Sequence, residues 1–188
     1  MNFDDLKINK TWTLFLDRDG VINKRIINGY VRSWKDFEFL PGVLPALATL
    51  SEIFGKVIIV SNQQGIGKGL MNEQDVIGIH RKMISEIKAA GGKIDQVYFC
   101  PDLEEDHSVN RKPEIGMALQ AQKEFPVIDF RRSIMVGDSQ SDMLFGKKLN
   151  MVKVFLTEDP QAAKPFENII DFIFKDLKAF STVFNTLQ

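Results

Sequence analysis

Thr13-Leu14-Phe15-Leu16-Asp17-Arg18-Asp19-Gly20-Val21 is a short apolar run that ends in two carboxylates two residues apart, followed by a glycine. Apolar residues without polar alternation suit a strand covered on both faces, as in a parallel sheet. Such a strand delivers the residues just after it to the rim of the sheet, so Asp17 and Asp19 are expected there together. Asp17 reads as a nucleophile toward phosphorus. Taken alone, an Asp-x-Asp pair in this position is more often a solvated turn or a helix cap, so the reading depends on what the remaining chain supplies.

The rest of the chain repeats the pattern. Val43 to Leu50 carries a helical apolar stripe that Gly55 ends, and Lys56 to Ser61 is a β-branched strand run. Asn72-Glu73-Gln74-Asp75 has the form of a helix start with Asn72 as cap, and the helix stops at Gly91-Gly92. Gln96 to Cys100 predicts a third strand. Pro113 predicts a helix start with Arg111 and Lys112 just ahead of it. Ser133 to Gly137 predicts a fourth strand ending at Asp138, and Ser139 to Asp142 opens the next helix. Val152 to Leu156 and Ile169 to Ile173 predict strands five and six, with a C-terminal helix from about Lys175. Lys24 to Lys35 reads as a loop or small hairpin overhanging the carboxylates.

Strands alternating with helices predict an α/β, three-layer Rossmann-like fold: a mostly parallel sheet with helices on both faces, no large cap, and one domain over residues 1–188. In such sheets ligands bind beyond the carboxyl ends of the strands, where the strand order switches. Asp17, Ser61 and Asp138 all stand at that end.

The 188 residues are 44% apolar and 26% charged, as in ordinary globular proteins. A net charge of -1 without a basic cluster argues against a nucleic-acid binder. No run approaches the roughly 18 apolar residues of a membrane span, and the acidic Met1-Asn2-Phe3-Asp4-Asp5 lacks the form of a secretory signal. Cys100 is the single cysteine, so neither an internal disulfide nor an all-cysteine zinc site is expected. A cytoplasmic monomer acting on a small phosphorylated substrate fits these bounds.

Asp17, Asp19 and Asp138 crowded together would raise one another's pKa unless a cation compensates them. Oxygen ligands of this kind suit Mg²⁺. Asp17 would then attack the phosphoryl group, Asp19 would pass protons to the leaving oxygen and from water, and Ser61 and Lys112 would stabilise the transferring oxygens. Ser61 alone reads as a turn residue, Gly137-Asp138 as a turn and Lys112 as a surface lysine. The bland readings fail jointly, because each strand end carries the group this chemistry needs.

Asp17-Arg18-Asp19-Gly20-Val21-Ile22-Asn23, Ser61-Asn62-Gln63-Gln64-Gly65-Ile66, Arg111-Lys112-Pro113 and Gly137-Asp138-Ser139-Gln140-Ser141-Asp142 together resemble the haloacid dehalogenase superfamily. Within it they resemble the branch of D-glycero-D-manno-heptose 1,7-bisphosphate and histidinol-phosphate phosphatases. The resemblance implies Asp17 as nucleophile, Asp19 as acid/base, and Ser61 and Lys112 on the phosphoryl group. It further implies Mg²⁺ on the Asp17 and Asp138 carboxylates and the Asp19 main-chain carbonyl. Arg111 matches a substrate-recognition arginine, and Asn62, Gln63 and Gln64 a loop that touches substrate; Ser139 joins these candidate contacts. Asp142 is expected to orient the site rather than to bind metal.

Members of the branch often carry a zinc loop, Cys-x-His followed by Cys-x-Cys before Arg-Lys-Pro. Here Cys100 matches the first ligand, but Asp102, Ser108 and Asn110 stand at the other positions. His107 does not complete a four-ligand site, so zinc is not expected, and Cys100 and His80 read as packed core residues. The substrate stays open between a heptose bisphosphate and histidinol phosphate. A receiver-like phosphoacceptor domain is the non-enzymatic rival, against which Asp19 speaks.

Overall fold

The computed structural model describes residues 3–184 and contains a six-stranded parallel sheet. Its strands are β1 (Thr13–Leu16), β2 (Lys56–Asn62), β3 (Gln96–Cys100), β4 (Ser133–Gly137), β5 (Val152–Leu156) and β6 (Phe172–Phe174). Across the sheet they run β3-β2-β1-β4-β5-β6, a doubly wound order that switches direction between β1 and β4. β1 is central: Leu16 pairs with Ile59 on one side and Val136 on the other. All four of its residues are buried, which accounts for the unbroken apolar run.

Successive strand residues face opposite layers. Leu14, Leu16, Ile59 and Val136 pack against Leu47 and Leu50 of α1 (Val43–Ile53), Met83 and Ile87 of α2 (Glu73–Ala89), and Phe180 of α5 (Leu177–Thr182). Phe15, Ile58, Val60 and Met135 point the other way, toward Met117 and Ala118 of α3 (Gly116–Glu124) and Phe145 of α4 (Gln140–Lys148). Burying each of the large side chains contributes roughly 1.5–3 kcal/mol. The three layers are therefore a direct product of period-2 alternation in strands that are apolar on both sides.

Asn72 caps α2: its Oδ1 accepts from Asp75 N at 3.0 Å, and Asp75 Oδ2 accepts from Asn72 N at 2.9 Å. Other boundaries shift from the predicted ones. α3 begins at Gly116 rather than at Pro113, because Glu114 N donates to Arg111 O (2.7 Å) and Gly116 N to Val109 O (2.8 Å), closing a turn first. A Cβ on Gly116 would lie 2.5 Å from Val109 O. Lys112 thus sits on a turn and not at a helix start. β6 begins three residues later than predicted, since Pro160–Ile169 forms a 3-10 run whose Ile169 buries against Met143 and Phe155. Lys24 to Lys35 is a loop leading into a 3-10 turn at Trp34–Asp36, closed at its base by an antiparallel bridge between Asn23 and Phe39. No helix among the described residues is long and apolar enough to cross a membrane.

Candidate functional site

The site lies at the switch point. Asp17 follows β1 and donates its N–H to Val136 O of β4 at 3.0 Å, while Asp138 follows β4 itself. Two glycines allow the carboxylates to close in. Gly20 has φ +98, and a Cβ there would lie 1.9 Å from Asp138 Oδ2; a Cβ on Gly137 would lie 2.2 Å from the Cβ of Asp142. The Asp138 carboxylate is therefore laid against the backbone of the Asp19-Gly20 turn.

Asp17, Asp138 and Asp142 each offer an oxygen within 4.8 Å of the others. Lys112 Nζ, almost fully buried, lies 2.7 Å from Asp17 Oδ1, 2.6 Å from Asp142 Oδ1 and 2.7 Å from Val60 O. Asn62 sets its place, accepting from Lys112 N at 2.9 Å and donating to Lys112 O at 3.0 Å. Burial would lower the Lys112 pKa, but Asp142 and Asp17 outweigh it and raise it. Burial pushes Asp17 up to about 6 against the pull of Lys112, with Asp142 and Asp19 adding repulsion. Burial, and next the Asp17 charge, push Asp138 up to about 8 despite Arg25. One lysine leaves this acidic trio under-neutralised, and hard oxygens in such a cluster fit Mg²⁺. Arg25 Nη2 reaches Asp138 Oδ1 at 2.7 Å and Asp19 O at 3.1 Å, so positive charge already collects on the two oxygens expected beside a cation.

The expectation that the Asp17, Asp19 and Asp138 carboxylates converge needs correction: Asp142 is the third member. The Asp19 carboxylate turns away, taking Arg18 Nη2 on both oxygens (3.0 and 2.8 Å), Asn23 Nδ2 at 2.9 Å and Gln63 Nε2 at 2.9 Å. Burial would raise its pKa, yet the Arg18 charge and these donors outweigh burial and lower it. The Asp19 carbonyl shares Arg25 Nη2 with the Asp138 carboxylate. Asp142 Oδ2 accepts from Ser139 N and Ser139 Oγ, which commits it and Ser139 to each other.

Above these groups opens a cavity of about 730 Å³, walled by Arg25, Tyr30, Gln64, Lys68 and Arg111. Gln64 donates to Tyr30 OH at 3.1 Å, and Arg111 donates to Gln64 Oε1 at 3.4 Å and to Asp102 O at 3.3 Å. Gln63, a candidate substrate contact, lines the cavity, is buried, and donates its amide to Asp19 and to Ser61 Oγ (2.8 Å). Asn62 also lines the cavity while its side chain binds the Lys112 backbone. Cys100 is buried beside Asp102 Oδ2 (3.5 Å) and Ser108 Oγ (3.8 Å), while His107 is exposed. Among the described residues, the acidic trio is the only group of three or more His, Cys, Asp or Glu side chains placed to share a metal.

Sequence reasoning did not single out Arg18 and Asn23, while its reading of His80 as a packed core residue agrees with the structure. Arg18 and Asn23 are fully buried, and His80 Nε2 lies 3.1 Å from Arg18 Nη1. The one signal for them is an arginine placed inside an otherwise buried segment, between the two aspartates.

Residues 14–180 match the family model described as polynucleotide kinase 3 phosphatase. A D-glycero-alpha-D-manno-heptose-1,7-bisphosphate 7-phosphatase of Mycobacterium bovis is 42% identical over 132 residues, covering 70% of each chain. A Rhodopseudomonas palustris relative named for the beta anomer is 39% identical, covering 69% of this chain and 74% of its own. A crystal structure of D,D-heptose 1,7-bisphosphate phosphatase from B. bronchiseptica, complexed with magnesium and phosphate, superposes with a TM-score of 0.83 at 26% identity, covering 94% of this chain and 99% of its own. With Asp17 at the end of its central strand, a buried lysine and an acidic trio at the sheet's switch point, the chain is a phosphatase and belongs to the heptose-1,7-bisphosphate 7-phosphatase family of the haloacid dehalogenase superfamily.

Proposed function

We propose that this phosphatase removes the C7 phosphate of D-glycero-D-manno-heptose 1,7-bisphosphate by way of a phosphoryl group carried on Asp17, with Mg²⁺ as cofactor. The observation that carries the reading is Lys112 Nζ bridging Asp17 and Asp142 beneath a cavity rimmed by further cations. The names of the relatives support the substrate, and the magnesium and phosphate in the related crystal structure support the cofactor.

Lys112 holds Asp17 by Oδ1, and among the described residues Oδ2 takes no donor, which leaves Oδ2 as the attacking atom. Attack forms the Oδ2–P bond and breaks the bond from phosphorus to the sugar oxygen, which takes a proton from Asp19. Water then attacks phosphorus, gives a proton back to Asp19, and frees Asp17 and inorganic phosphate. Asp19 is ionised at rest; a phosphate dianion beside it raises its affinity for a proton, which it takes from solvent as substrate binds and returns to solvent when inorganic phosphate leaves. Ser61 and Lys112 stabilise charge on the transferring oxygens. Asp17, Asp138 and the Asp19 carbonyl would hold Mg²⁺, whose charge offsets the repulsion between carboxylate and phosphoryl oxygens.

The net charge of -1 disfavours a polynucleotide substrate, because phosphate-backbone binding draws on a basic surface. The test compares kcat/KM with Mg²⁺ for both anomers of the heptose bisphosphate, histidinol phosphate and a 3′-phosphorylated oligonucleotide. At least one heptose anomer is expected to lead the others by about 100-fold, a difference of about 2.7 kcal/mol in transition-state binding. A lead for histidinol phosphate or the oligonucleotide overturns the substrate. Asp17→Asn is expected to lose turnover about a thousandfold or more, and substantial residual turnover overturns the nucleophile.

A further inference from the structure

His80 lies on α2 and is 5% exposed. Its Nε2 is 3.1 Å from Arg18 Nη1. A guanidinium offers donors and no acceptor, so the contact requires an unprotonated Nε2, with the ring hydrogen on Nδ1. Burial, and next the Arg18 charge, push the His80 pKa down to about 3, so the ring is neutral. Phe99 packs against it edge-to-face, with 5.6 Å between ring centroids.

At its other end the Arg18 guanidinium grips the proton-transfer carboxylate, with Nη2 reaching both Asp19 oxygens. Arg18 is fully buried and its Nε has no partner. The orientation of the guanidinium plane is therefore set by two contacts, Asp19 on one side and His80 on the other. Without His80, Arg18 keeps its charge but loses one of these two anchors, and Asp19 loses the fixed end of its strongest donor.

We propose that His80 is a positioning residue for phosphoryl transfer: its Nε2 anchors Arg18 and so holds the Asp19 carboxylate at the angle proton transfer needs. His80 touches neither the substrate nor the reacting atoms. The inference rests on the reading of Asp19 as the acid/base group. A histidine present only for packing would be replaceable by leucine at no kinetic cost.

The test uses the full chain with Mg²⁺. In the wild type, ¹⁵N NMR is expected to show His80 as the Nδ1–H tautomer; an Nε2–H tautomer overturns the proposal whatever the variants do. His80→Leu keeps the bulk and removes the acceptor, whereas His80→Gln supplies an amide oxygen. On the sugar phosphate, whose alkoxide needs a proton to leave, His80→Leu is expected to lower kcat about 10- to 100-fold with KM within about twofold. Single-turnover release of p-nitrophenolate, a leaving group that needs no proton, should stay within about threefold of wild type. His80→Gln should restore most of the lost kcat. A wild-type kcat in His80→Leu, an equal loss on both substrates, or no recovery in His80→Gln overturns the proposal. Asp19→Asn separates the two readings. If it turns over the sugar phosphate at the wild-type rate, the assignment of Asp19 falls; if it is inactive while His80→Leu is unimpaired, only the role of His80 falls.

Discussion

Single residues here do two jobs at once, and Gly20 illustrates it. Its φ of +98 is a conformation that side chains with a Cβ resist, and its missing Cβ is the space into which Asp138 Oδ2 fits. Gly20→Ala is expected to weaken Mg²⁺ affinity by roughly tenfold or more in calorimetric titration, since Asp138 must move off the turn; unchanged affinity would mean that Asp138 is not fixed there. Lys112 is the sole cation between Asp17 and Asp142, so Lys112→Met leaves two buried carboxylates unpaired. In urea melts at pH 7 without metal it is expected to cost about 3 kcal/mol. Asp17 and Asp138 are legible in the sequence because each terminates an unbroken apolar strand. The burial of Arg18 and its contact with His80 are not. A lone arginine defaults to the surface and a lone histidine on an apolar helix face to the core, and only the fold brings together two residues 62 apart in the chain.

Among the elements, those with a local chemical signature are the most legible. Asn72 and Asp75 cap each other, so the start of α2 needs no tertiary information. The starts of α3 and β6 differ from the predicted ones because distant partners decide them: Gly116 N is taken by Val109 O, and Lys153 N donates to Asp171 Oδ2 at 2.8 Å just before β6. Asp95 plays a similar role between β2 and β3. Its carboxylate accepts from Val57 N at 2.8 Å and Lys56 Nζ at 2.9 Å, with Lys93 Nζ at 3.3 Å. Burial would raise the Asp95 pKa, but these partners outweigh burial and lower it. A carboxyl held lower in the folded than in the unfolded chain stabilises above its unfolded pKa, near 4, and loses that contribution as pH falls through the folded value. The group is partly solvated and so screened, which limits its worth to about 1 kcal/mol. The stability gap between wild type and Asp95→Asn, read from urea melts, should be full at pH 7 and shrink below about pH 4; a gap that widens in acid would contradict this assignment.

Across the whole molecule, the α/β class, the layers and the switch-point site are legible because strand runs apolar on both sides can only lie inside a covered parallel sheet. The order of strands is not, since nothing local in β1 says which strands flank it. That order has a consequence for how the protein is made. β1 leaves the ribosome before β4 and can pair with β2, but its second edge waits for β4, as Thr13 pairs with Ser133. Until then a newly synthesised chain presents an apolar strand with one open row of backbone donors and acceptors, a template for joining another chain. A fragment of residues 1–130 should accordingly be insoluble or chaperone-bound where the full chain is not, as sedimentation after cell-free synthesis would show. A soluble, folded fragment would refute this. Asp17 is translated long before Val136, whose carbonyl holds its N–H, so the site around it is completed only when the fourth strand arrives.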